Sequence, residues 1–154
     1  MDIQVLSGNI LMIPSGQIAG ECCCSEEILP CPTVCTSCPT SLTAVVSGIG
    51  DDGSCSPDGD CTDANGSYAL DKELDAESCG WVDTNPPDGI LFAGVSCTNY
   101  SGEGSWGFNI HVFNKLDYCD VEYTSPNTSN CPPTGSWDWN AAFTLCQEGS
   151  ATFS

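Results

Sequence analysis

Thirteen cysteines in 154 residues are the side chains with the most chemistry to offer, since thiols pair oxidatively, ligate soft metals or act as nucleophiles. Cys22, Cys23 and Cys24 are consecutive, and adjacent cysteines bridge one another only with strain, so each looks elsewhere for a partner. Cys31, Cys35 and Cys38 follow closely, while Cys55, Cys61, Cys79, Cys97, Cys119, Cys131 and Cys146 are spread along the rest of the chain. The odd total requires at least one free thiol, one intermolecular bridge or one metal ligand. Zinc would draw on the single C-x2-C, Cys35 and Cys38, but the second such pair or the finger histidines of a structural zinc site are missing. A disulfide framework is therefore the favoured reading, with zinc as its alternative. Cys97 and Cys119 lie in strand-like runs and are candidates to stay reduced and buried, because free cysteine packs as a small hydrophobe.

Carboxylates are the second chemical resource. Asp51, Asp52, Asp58, Asp60 and Asp63 gather in a glycine-containing loop whose oxygens would suit a hard cation such as calcium. Their spacing does not match an EF-hand loop, and a solvated acidic loop is the preferred reading. The single histidine, His111, stands on the less apolar face of a strand and is expected to be solvated or hydrogen-bonded rather than catalytic. Nucleophile elbow, phosphate loop and zinc-protease motifs are all missing, so no enzyme is expected. Trp137 and Trp139 alternate in GSWDWN and would share one face, either as a stacking platform for a ligand or as core. Sequons at Asn65, Asn99 and Asn127 read as turns rich in Asn and Ser.

Composition narrows the class. Twenty-one acidic residues stand against Lys72 and Lys115 alone, for a formal net charge of −19. With no arginine and so few cations, nothing could neutralise phosphates, and nucleic-acid binding is excluded. The stretch MDIQVLSGNILMIPSG has no basic residue before its apolar run, and Pro14 and Gly16 interrupt it early, so neither a conventional export signal nor a membrane span is expected. Cysteine content suited to an oxidising space without an export signal fits a protein made in a host cytoplasm that works outside the cell.

The elements that must position these groups are short strands. Sixteen glycines and ten prolines leave little room for long helices. Residues 1–20 form an apolar arm, with Ile3, Val5, Leu6, Ile10, Leu11 and Ile13 in no clean helical or strand period, expected to lie extended on a neighbouring subunit or on its own domain. Residues 21–40 are a cysteine- and proline-rich segment. Residues 41–154 carry strand signals at Leu42–Ser47, Ser67–Leu70, Ile90–Cys97, Ser105–Phe113, Cys119–Tyr123 and Ser150–Ser154. Asp71–Ser78 could hold a turn or two of helix. Seven or so antiparallel strands predict an all-β, disulfide-rich sandwich or jelly-roll with an extended N-terminal arm.

The ordered series CPTSLTAVVSG, Cys61 to Leu70 with N-G-S-Y-A-L, Cys79-Gly80-Trp81, GILFAGVSC, WGFNIHVFN and CPPTGSW before ATFS resembles small cysteine-rich β-proteins encoded among phage and prophage structural genes. The resemblance covers residues 38–154. It implies a virion component, a capsid decoration or cement protein or a tail-associated one, that partners other virion proteins and copies of itself, with no membrane partner, and it carries over no active-site residue. A carbohydrate- or receptor-binding adhesin using the tryptophans and the acidic loop is the alternative from a different class.

Overall fold

Period-2 alternation turns into strands wherever one face can be buried. A computed structural model describes residues 3–6, 9–12, 26–50, 61–73, 79–113, 118–139 and 149–154. The first two strands, β1 (Ile3–Leu6) and β2 (Asn9–Met12), pair antiparallel as a sheet of their own, with Ile3 opposite Met12 and Val5 opposite Ile10. The described part of the expected extended arm thus pairs back on itself, and the facing backbone groups of β1 and β2 satisfy one another. Ile13 lies outside the described residues.

Eight further strands form the body: β3 (Ser41–Ser47), β4 (Gly66–Lys72), β5 (Trp81–Asp83), β6 (Ile90–Tyr100), β7 (Glu103–Phe113), β8 (Tyr118–Pro126), β9 (Gly135–Trp139) and β10 (Ser150–Phe153). Each pairs antiparallel with its neighbour in sequence, and β10 pairs with both β9 and β3. That last pairing closes the sheet into an up-and-down barrel. The all-β, disulfide-rich expectation is met, whereas the sandwich or jelly-roll is replaced by a single closed sheet. Of the expected helical turn over Asp71–Ser78, Asp71 and Lys72 instead complete β4, and residues 74–78 lie outside the described residues.

An eight-stranded barrel is just wide enough inside for side chains to fill it. Leu42, Ala44 and Val46 of β3 alternate inward, as do Trp106, Phe108, Ile110 and Val112 of β7 and Cys119, Val121 and Tyr123 of β8. Phe108 meets Tyr68 and Phe153 edge-on at centroid distances of 5.5 and 5.3 Å, and Trp137 stacks on Phe153 at 4.1 Å. Edge-on and offset arrangements suit the ring quadrupoles and add about 0.5–1.5 kcal/mol per pair beyond burial. Between β6 and β7, Ser101 and Gly102 both take positive φ (53° and 92°), the two-residue turn whose twist matches a tight hairpin.

The up-and-down order gives the barrel two unlike ends. At one, β4, β6 and β8 finish while β5, β7 and β9 start, over the connections 73–80, 101–102 and 127–134. At the other, the looped end, lie the connections 48–65, 84–89, 114–117 and 140–149.

Candidate functional site

Residues 26–40 have few apolar side chains and three prolines, so they form no strand of the barrel and must be fixed by other means. They cross the end that carries the β6–β7 turn as a strap. Backbone bonds dock its first part: Leu29 N–H donates to Asn127 O at 2.7 Å, and Gly104 N–H donates to Leu29 O at 2.8 Å. Gly104 is required there, because a Cβ at that position would sit 2.7 Å from both Cys31 N and Leu29 O. The second part lies over β4 and β5, where the Lys72 ammonium donates to Cys35 O and the Trp81 indole donates to Pro39 O at 2.9 Å.

Three cystines pin the strap. Cys31 bonds Cys97 of β6, Cys35 bonds Cys79 ahead of β5, and Cys38 bonds Cys131 beyond β8. A fourth, Cys61–Cys119, joins the start of β4 to the start of β8 at the opposite end. The disulfide framework is therefore present for eight of the thirteen cysteines; Cys22, Cys23, Cys24, Cys55 and Cys146 lie outside the described residues. Two expectations are corrected. Cys97 and Cys119 are cystine sulfurs rather than buried thiols, and the C-x2-C pair, with each sulfur bonded to a distant partner, has no thiolates to offer zinc. Among the described residues, no group of three or more His, Cys, Asp or Glu side chains could hold a metal ion.

Asn127 unites strap and barrel. It is fully buried, its Oδ1 accepts from the Trp106 indole and from Asn130 N–H, both at 3.0 Å, and its Nδ2 donates to Pro30 O at 2.7 Å. The other two sequon asparagines hold backbone as well. Asn65 both donates to and accepts from the Ile49 backbone, and Asn99 Oδ1 accepts from Cys31 N–H. Sequence reasoning took all three for turn residues; no local signal marks an asparagine whose partner lies 16 to 98 residues away.

At the looped end, Asp63 is exposed in a 3-10 turn (Thr62–Ala64), with its carboxylate close to Gly89. Asp51, Asp52, Asp58 and Asp60 lie outside the described residues. An open groove of about 460 Å³ nearby carries Asp71, Asp83 and Asp88 on its walls. Trp137 and Trp139 do not form an exposed pair: Trp137 is 1% exposed, with its indole donating to Pro133 O, and Trp139, at 37%, stands at the end of β9. Trp81 and Trp106 are likewise core. His111 is half-buried on the outer face, and its Nδ1 bonds the Asp120 carboxylate directly across β7 and β8. A carboxylate only accepts, so Nδ1 is the donor of this bond.

Burial pushes the Tyr68 and Tyr123 phenols far above the ordinary tyrosine range, and for Tyr68 the nearby Tyr123, Asp83 and Asp63 add to it. Tyr68 stays a donor, to Ala64 O at 2.7 Å. Comparison with family models, curated proteins and solved structures finds no match for this chain. Among the described residues, the molecule combines an N-terminal hairpin with a covalently fixed strap, and no nucleophile is set against a base.

Proposed function

We propose that this chain is a structural protein of a bacterial virus particle, a capsid decoration or cement protein or a tail-associated counterpart, acting by assembly rather than catalysis. The observation that carries the reading is the three-cystine strap. Among the described residues, the chain that follows the N-terminal hairpin is bonded to the barrel at residues 31, 35 and 38. A pull on the arm thus passes into the barrel at three separate points, one in β6 and two in connections, through covalent bonds rather than peeling a strand from a sheet. An attachment arm needs such a root, and an exposed particle surface, outside the reducing cytosol in which the chain is made, is where cystines persist.

Two further features support it. A closed barrel has no free strand edge, so many copies can crowd a surface without edge-to-edge pairing. The net charge of −19 keeps those copies soluble, and residues 1–20 hold a single charged residue, Asp2, so the arm approaches a neighbour without that repulsion. The partners are neighbouring structural proteins or further copies of the chain. A mass-spectrometric inventory and density map of purified particles from the source should find the chain in fixed stoichiometry, with residues 1–20 against a neighbouring subunit. Particles that lack the chain would contradict the reading.

A further inference from the structure

We propose that the strap is a redox-controlled latch: a dithiol opens its three cystines while the folded barrel keeps Cys61–Cys119, and the covalent root of the arm moves from residue 31 to the start of β3 at residue 41. A gradient of burial among the four bridges sets the order. Cys31 and Cys97 are both half-buried, so neither end of their bridge is enclosed. Cys35–Cys79 and Cys38–Cys131 each join a buried cysteine to a half-buried one. Cys61 and Cys119, 0% and 1% exposed, are enclosed at both ends.

Thiol–disulfide exchange needs a thiolate in contact with a sulfur of the bridge. One thiolate of the dithiol attacks a cystine sulfur, the S–S bond breaks, and the other cysteine leaves as a thiolate that takes up a proton. The second thiol of the reagent then displaces the first cysteine and closes the reagent into a cyclic disulfide, so that two electrons and two protons pass to the protein for each bridge. At Cys31–Cys97 either sulfur is open to attack. At the next two bridges the attack falls on Cys79 or Cys131, and the leaving thiolate, Cys35 or Cys38, is buried, where a charge is unfavourable. These bridges therefore open after Cys31–Cys97 has loosened the strap, and Cys61–Cys119 is reached only when the barrel itself opens. Little else holds the strap down. Cys35 and Cys38 are the only buried residues of 31–40, and Val34 is 49% exposed. Cys31 N–H to Asn99 Oδ1, Lys72 N–H to Thr40 O and the Trp81 indole to Pro39 O are bonds for which water competes. Upstream, Leu29 and Pro30 are tied to Gly104 and Asn127 by hydrogen bonds, which bear the whole of a pull once the bridges are open. Residues 31–40 then add about 35 Å of slack between arm and barrel, at roughly 3.5 Å per extended residue. The latch belongs to the strap and barrel themselves and stands whatever neighbour the arm meets.

The test uses the full chain under native conditions. Free thiols are blocked with N-ethylmaleimide, dithiothreitol is added in steps, and newly freed cysteines are trapped with iodoacetamide and located by peptide mass, while backbone hydrogen exchange is followed in parallel. Cys31 and Cys97 should be labelled first and the other two strap bridges next. Cys61 and Cys119 should be labelled at least about tenfold more slowly than any of them, because only global opening reaches a bridge enclosed in the core. Once the strap bridges are open, amides of residues 29–40 should exchange at least about tenfold faster, and those of β7 and β8 should stay protected. In urea that unfolds the barrel, the difference between the bridges should vanish. Loss of Cys61–Cys119 in step with the strap bridges, strap amides that stay protected after those bridges open, or an order of labelling that persists in urea would overturn the proposal.

Discussion

Asn127, fully buried, joins strap to barrel. Removing its side chain strands the buried Trp106 indole, an unsatisfied group that costs about 1–3 kcal/mol, and also takes away the partners of the part-buried Asn130 N–H and Pro30 O. Asn127→Ala should therefore lower the unfolding free energy by at least about 2 kcal/mol, read from the denaturant midpoint at unchanged slope. His111→Ala, on the outer face, should change it by no more than about 0.5 kcal/mol. The buried phenols set the alkaline limit. A tyrosine whose pKa is raised on folding contributes stability that is fully present below its unfolded value near 10 and is lost as pH rises towards the folded value. Urea midpoints should hold up to about pH 10 and fall above it, and Tyr68→Phe should flatten the fall. At this scale the sequence said which residues face inward on β7 and β8, because alternation is local. It did not single out Asn127, whose burial depends on contacts with the distant strap.

At the scale of elements, the strap is where a disulfide acts most strongly. The bridges close separations of 66, 44 and 93 residues. Chain entropy grows only with the logarithm of loop length, so the longest and shortest differ by about 0.7 kcal/mol, and each should contribute about 2–4 kcal/mol. The paired variant Cys38→Ser with Cys131→Ser should lose stability in that range by calorimetry, with the barrel retained, whereas mixed single variants would also free a thiol. Most strands were legible from period-2 runs, and β6 and β7 proved longer than expected because Ser101-Gly102 turns the chain tightly. The strand β5 was missed: three residues are too short for a period, and Trp81 is placed by pairing with Lys72 and Val95. Barrel closure was not legible either. It rests on β10 meeting β3 across more than a hundred residues, and strand patterns alone are the same for a sandwich.

For the whole molecule, the cystines and the arm make separate claims. Trypsin has only Lys72 and Lys115 to cut at, so a protease of broader specificity under non-reducing conditions should yield linked peptides for Cys31–Cys97, Cys35–Cys79, Cys38–Cys131 and Cys61–Cys119. Free alkylation of these eight would remove the strap from the account. The central claim is that residues 1–20 attach a covalently rooted barrel to a neighbour. It is tested most directly by producing the full chain and a chain lacking residues 1–20 in the host during particle assembly and weighing each in purified particles. The account predicts that the full chain is incorporated while the shortened one is recovered unattached, with the cystines Cys31–Cys97, Cys35–Cys79, Cys38–Cys131 and Cys61–Cys119 intact. Equal incorporation of the shortened chain would contradict it.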